Sequence, residues 1–188
     1  MKRYVLFAGV NGAGKTTLYQ TNKDYKDMPR INMDEIVREF GSWRVSADIS
    51  KAGMLAVRKI KEYLENGVTF NQETTLCGHM ILKNIERAKQ LGYEIDLNYV
   101  GLDSVETAKE RVAIRVKNGG HGIPEEDIER RYYESISNLE KLIPVCEHVK
   151  IYDNSRSFTR IATFVNGKCV DSAEYLPEWC KSFVWHYS

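Results

Sequence analysis

The sequence predicts an α/β fold of three layers, α/β/α, around a five-stranded, mainly parallel sheet. Three observations carry this. Apolar runs of strand length alternate with amphipathic runs of helix length, the signature of βαβ units. A glycine-rich turn at 9–14 separates the first apolar run from the first helix. The composition is globular: 188 residues, 43% hydrophobic and 28% charged. That suffices for one domain with a buried core, here taken as 1–188, and is too apolar for disorder.

The elements follow in order. YVLFA at 4–8 is a short buried strand, and a helix starts at Lys15. A second strand spans 30–33, with a helix after it. Residues 47–65 form a helix that ends at Asn66-Gly67. The third strand is 68–72. A helix over 80–90 stops at Leu91-Gly92, and the fourth strand is 95–100. Ser104 suits the N-cap of the next helix, which carries Glu106 and Lys109. NGGHGIP at 118–124 is a loop. Residues 125–143 form a long helix with acids in its first turn, where the helix dipole favours them. The fifth strand is 149–152. Beyond it, about 156–188 reads as a C-terminal appendage. Two short strands around Asn166-Gly167 make a β-hairpin. A short helix follows, with an aromatic tail (Tyr175, Trp179, Phe183, Trp185, Tyr187) expected on the sheet edge.

Charge and cysteines narrow the class. Lys and Arg number 27 against 26 Asp and Glu, a net charge of +1. A uniformly basic surface for nucleic acid or membrane is thereby excluded. Cys77, Cys146, Cys169 and Cys180 form no C-x-x-C pair and fit no zinc spacing. The N-terminal apolar run is too short for a signal peptide or a membrane span. Four free thiols in a reducing cytoplasm are therefore expected.

Residues 9–16, GVNGAGKT, fit G-x-x-x-x-G-K-[ST] in the required setting, after a strand and opening a helix. Such a loop turns successive N–H groups onto phosphate oxygens, and the helix start adds partial positive charge. The expected nucleotide cradle is Asn11, Gly12, Ala13, Gly14, Lys15, Thr16 and Thr17. Lys15 reaches the β/γ phosphates, and the Thr16 hydroxyl suits Mg²⁺. Asn22-Lys23-Asp24 lacks the spacer of a guanine-reading N-K-x-D motif, so ATP is favoured over GTP.

In a parallel sheet the C-terminal strand ends face the ligand crevice. Asp34 lies at the end of the second strand and suits a general base that takes a hydroxyl proton. It also suits the N-cap of a helix over 35–40, a role compatible with the first. Glu73, Thr74 and Thr75 end the third strand on the same edge. Glu73 is a candidate for acceptor hydroxyls or a Mg²⁺-bound water, and the threonines for acceptor oxygens.

The segment 117–131 reads as a basic lid. On a helical wheel Val105, Val112 and Val116 form a buried stripe, with Arg111 and Arg115 to one side. In the next helix Ile128, Tyr132, Leu139, Leu142 and Ile143 form the stripe. Arg131 flanks it, and Arg130 points away. These arginines bracket a Gly-Gly-His-Gly loop with His121 at its tip, a form suited to closing over phosphates.

The stretches GVNGAGKTTL, INMDEI, FNQETTL, YVGLDSVETAKERVAIRVKNGGHGIPEEDIERRY and IYDNS resemble the zeta toxin family of P-loop kinases, over about 4–155. The resemblance implies a P-loop NTPase fold similar to nucleotide kinases. It implies transfer of the ATP γ-phosphoryl to UDP-N-acetylglucosamine, at the 3′-hydroxyl of its amino sugar, and restraint by a small antitoxin. By motif, Lys15 and Thr16 would hold phosphate and Mg²⁺, Asp34 would be the base, and Glu73 and Thr75 would contact the sugar nucleotide. Arg115, or Arg111, would be the first phosphate-clamping arginine. Asn154 would lie near adenine. The family's second lid arginine falls at His121 here, so either His121 substitutes or Arg131 supplies the charge. Two alternatives stay open. One is a kinase of another acceptor (a nucleoside, a sugar or a nucleic-acid 5′ end). The other is an ATP-binding switch with little turnover.

Overall fold

The structure, a computed structural model, describes residues 1–187. Strand β1 (Arg3–Ala8) runs through its centre, and five of its six residues are buried. It pairs in parallel with β3 (Phe70–Thr74) on one side and β4 (Glu94–Gly101) on the other. β2 (Arg30–Ile31) flanks β3 and β5 (His148–Asp153) flanks β4, both in parallel. The five parallel strands thus lie in the order β2-β3-β1-β4-β5.

The C-terminal hairpin does not sit beside a five-stranded sheet; it extends that sheet to seven strands. β6 (Thr159–Val165) pairs antiparallel with β5, and β7 (Lys168–Ser172) with β6. The open edge of β5 is thereby satisfied by backbone, as a long apolar edge requires. The turn holds Asn166 at φ 49° and Gly167 at φ 77°, the left-handed pair that suits a tight hairpin.

Among the described residues seven α-helices cover the faces: α1 (Lys15–Thr21), α2 (Met33–Phe40), α3 (Ser46–Glu65), α4 (His79–Gln90), α5 (Val105–Lys117), α6 (Glu125–Leu142) and α7 (Glu178–His186). Strand alternation divides the core in two. Tyr4, Leu6 and Ala8 face α2, α3, α4 and α7, whereas Val5 and Phe7 face α1 and α5. Helix α6 joins both, through Ile128 and Tyr132 on one side and Leu139 and Leu142 on the other.

Several local expectations change. The third strand starts at Phe70 and reaches Thr74, which carries Glu73 into the sheet. The second strand is only two residues long, because Asn32 caps α2. Its side-chain oxygen accepts from the N–H groups of Asp34 at 2.8 Å and Glu35 at 3.3 Å. Asp34 is therefore not the cap and keeps its carboxylate for other work. Asn22, part of the apparent guanine motif, caps a 3₁₀ turn at Lys23–Tyr25. Val105 and Val112 are buried, but Val116 is 46% exposed, since the last turn of α5 runs past the core towards the lid.

Trp179, Phe183 and Tyr187 of the aromatic tail pack on a sheet face, not on its edge, whereas Tyr175 and Trp185 are exposed. Cys180, Phe183 and Val184 are buried there. The Trp179 indole N–H donates to Asp153 Oδ1 at 2.9 Å. Its ring lies so close to Gly101 that a Cβ there would meet it at 2.2 Å. All four cysteines are free. No helix among the described residues is long and apolar enough to cross a membrane.

Gly101→Ala is expected to cost about 1–3 kcal/mol, because the indole is rigid and cannot swing clear. Trimming the ring in Gly101→Ala/Trp179→Leu should cost less than the two single changes together. Urea unfolding of the four proteins checks this.

Candidate active site

The phosphate loop begins where β1 meets β4. A Cβ on Gly9 would lie 2.1 Å from the Val100 carbonyl oxygen, so only glycine lets the chain turn there, at φ 135°. Lys15 opens α1 and is buried, with its ammonium donating to the Val10 carbonyl at 3.0 Å. Burial holds its pKa below the ordinary 10.5, against the opposing pull of Glu73 and Asp34.

Glu73 is fixed by parallel pairing, since it sits opposite Phe7 near the end of β1. Its carboxylate accepts from the Thr16 hydroxyl at 3.0 and 3.1 Å. It also accepts from Arg30 Nη2 at 2.6 Å and Asn32 Nδ2 at 2.9 Å. Arg30 in turn holds Glu35 at 2.9 Å and Asn71 at 3.0 Å, and lies 3.6 Å above the Tyr19 ring. A hydroxyl and a carboxylate converging beside a phosphate loop are hard oxygen donors that fit Mg²⁺. No group of three or more His, Cys, Asp or Glu side chains that could hold a metal occurs among the described residues. A cation here would thus complete its shell with phosphate oxygens and water.

Asp34 sits in the first turn of α2, with Oδ1 3.7 Å from His121 Nε2. Thr74 Oγ accepts from the Leu76 N–H at 3.0 Å. It thus supports a turn in which Leu76 is buried at φ 62°. Thr75 lines the cavity directly.

The lid folds back on α5. Arg115 donates to the His121 carbonyl through Nε at 3.1 Å and Nη2 at 2.8 Å. Gly120 permits this, because a Cβ there would lie 2.6 Å from Arg115 Cγ. Arg131 reaches across to Asn11 Oδ1 at 3.3 Å. Arg130 does not simply point away, as the wheel implies: it also lines the cavity, held by Asp127 and Glu134 on its own helix.

One cavity of about 520 Å³ gathers Asn11, Lys15, Asp34, Glu73, Thr74, Thr75, Arg115, His121 and Arg131. Arg111 and Asn154 are not part of it. Arg111 donates to the carbonyls of Asn154 and Ser155, and the Asn154 amide donates to the Ala13 carbonyl at 2.8 Å. Asn154 thereby ties the 153–155 turn to the phosphate loop, and Arg111 ties it to α5. Thr17 is exposed on α1. A smaller cavity of about 220 Å³ lies at the opposite strand ends. Asp96 there is already paired with Arg3 at 3.3 Å and His148 at 2.9 Å. Sequence reasoning missed Arg30, Asn32 and Trp43. Arg30 begins the second strand just before the INMDEI stretch, and Asn32 lies within that stretch as the cap of α2. Trp43 lies in a short loop with no motif around it.

The phosphate loop on the central strand, with an acidic strand edge facing a basic lid, is the arrangement of a P-loop kinase. The chain belongs to the zeta toxin family, whose model matches residues 2–163. An uncharacterized protein of Haemophilus influenzae is 32% identical over 128 residues, covering 68% of this chain and 91% of that one. A solved structure from the PezAT chromosomal toxin-antitoxin system of Streptococcus pneumoniae superposes with a TM-score of 0.61 at 18% identity. It covers 100% of this chain and 78% of its own. The AvrRxo1-ORF1:AvrRxo1-ORF2 structure with sulphate ions gives a TM-score of 0.71 at 14% identity, over 98% of this chain and 64% of that chain. Both likenesses establish the fold.

A buried ammonium costs stability until a phosphate meets it. Lys15→Met is expected to raise the urea midpoint of the nucleotide-free protein at neutral pH and to remove stabilisation by nucleotide. Because the folded pKa lies below 10.5, the unfolded chain holds more protons between the two values, and wild-type stability rises there. The gap between the two proteins should therefore narrow at alkaline pH.

Proposed function

We propose that the chain is an ATP-dependent phosphotransferase that moves the γ-phosphoryl group to a hydroxyl of a small molecule. UDP-N-acetylglucosamine is the first acceptor to test. The observation that carries this is that the phosphate-loop Lys15 and the Asp34 carboxylate line one cavity. Family membership supports it.

In this reading the loop N–H groups and Lys15 hold the ATP phosphates. Asp34 accepts the acceptor's hydroxyl proton as the oxygen–phosphorus bond forms and ADP leaves. Arg131 reaches the phosphate loop from the lid and offsets the charge on the transferred group. Arg115 is poised at the same wall but serves the lid carbonyl. His121 stands where the family has its second lid arginine, and Arg131 supplies the charge in its stead. Thr16 and Glu73 would hold Mg²⁺, which neutralises phosphate charge when bound. Thr75, with Glu73 beside it, lines the acceptor side. Arg111 and Asn154 shape the nucleotide end. A protein antitoxin as partner fits the membership, since one solved relative comes from a toxin-antitoxin system. Four free cysteines fit a reducing compartment such as the cytoplasm.

The decisive experiment is transfer of labelled γ-phosphate to UDP-N-acetylglucosamine, nucleosides, sugars and oligonucleotides side by side. Asp34→Asn should reduce transfer by about 10²–10⁴-fold while ATP still binds. Normal transfer by that variant rules out the base role. Glu73→Gln or Arg30→Gln should weaken Mg²⁺-dependent ADP binding by about tenfold or more, measured by calorimetry with and without the metal. ADP binding without Mg²⁺ should change little.

A further inference from the structure

Trp43 belongs to the 41–45 segment between α2 and α3, outside every motif that marks the site. The segment is anchored, because the Ser42 N–H donates to Asp48 Oδ2 of α3 at 2.9 Å and the Val45 N–H to the Ser42 carbonyl at 3.0 Å. The Trp43 indole packs against the main core and stacks on the His121 imidazole, with centroids 4.1 Å apart and planes 10° from parallel. Its Nε1 is buried with no hydrogen-bond partner among the described residues. Ring contact therefore sets its place, not hydrogen bonding.

We propose that Trp43 is the seat of the lid and a positioning residue for the base: it holds His121 flat at the one place where the imidazole can govern Asp34. This rests on the reading of Asp34 as the general base. The lid is fixed twice at its tip. Arg115 holds the His121 carbonyl, and Trp43 holds the ring. The charged groups facing the ring are Asp34 and Arg38 of α2 and Arg115 of α5.

His121 Nε2 lies 3.3 Å from Arg115 Nη2 and 3.7 Å from Asp34 Oδ1. A guanidinium only donates, so the bond from Arg115 requires a lone pair on Nε2 and a neutral ring protonated at Nδ1. A neutral ring leaves the Asp34 oxygens free for a hydroxyl proton. A protonated ring turns an N–H towards Asp34 and occupies the base. Burial, with Arg115 and Arg38, holds the imidazole below its ordinary pKa of 6.5, against Asp34. The seat thus keeps the histidine neutral and the base available near neutral pH.

The test has two readouts. The first needs no substrate. The emission of Trp43, taken as wild type minus Trp43→Phe, is followed from about pH 5 to 8. A stacked imidazolium quenches indole, so the Trp43 emission should fall on acidification with a midpoint below 6.5. His121→Gln should abolish that titration. Emission that is flat with pH, or unchanged by His121→Gln, overturns the seat. The second readout is transfer. Trp43→Ala should lower kcat by about tenfold with the KM for ATP within about twofold, and Trp43→Phe should restore most of it. Urea midpoints check that both variants fold. Equal loss in both variants, or a rise in the KM for ATP that matches the fall in kcat, overturns the positioning role. Absence of transfer by the wild-type chain overturns the kinase reading instead, and the emission titration decides the seat without it.

Discussion

Three donors from three elements converge on the Glu73 carboxylate, and the site is organised around that point. Thr16 comes from the start of α1, Arg30 from β2 and Asn32 from the cap of α2. The contact exists because β3 is locked beside β1 in parallel register, with Glu73 opposite Phe7. A slip of one residue would turn the carboxylate to the other face. The Arg30 and Glu73 side chains are only 8% and 13% exposed. Removing one partner of so buried a pair costs about 3–5 kcal/mol. The pair therefore binds phosphate loop, strand end and helix cap into one unit.

The lid is attached to this unit by lighter means. Its tip is held by a carbonyl bond from Arg115 and a ring stack on Trp43, with one long bond from Arg131 to Asn11, while Ile123 and Ile128 pack in the second core. Each of the polar and ring contacts at the tip is worth about 1 kcal/mol, or somewhat more where charge is involved. In the proposed reading, the tip of such an element opens for substrate and closes again. The glycines of the loop serve the same end. Gly120 lets the chain pass over the Arg115 stem, where any side chain would collide.

Residues 9–16 were fully legible as a phosphate loop, because the glycine spacing, the lysine and the preceding apolar strand reflect local backbone geometry. Ser104, Asn166-Gly167 and the α6 stripe were legible for the same local reason. Arg30 and Trp43 were not. Each acts through partners distant in sequence: Glu73 lies 43 residues from Arg30, and His121 comes from a lid far along the chain from Trp43. The exposure of Val116 was also hidden, since a helical wheel gives the stripe but not where the core ends.

The hairpin illustrates the same limit. Alternation and an Asn-Gly turn mark two strands, but only the open edge of β5 decides that they join the main sheet. The aromatic tail reads as apolar, and only the gap at Gly101 decides that Trp179 docks on a face. By itself the sequence determined the layer architecture, the phosphate loop and the chemical types along the crevice, because these depend on periodicity and on neighbours a few residues apart. Tertiary structure alone decided which donors meet Glu73, which arginine holds the lid and what the lid histidine rests on. Those depend on strand register and on contacts between segments tens of residues apart, which no local pattern encodes.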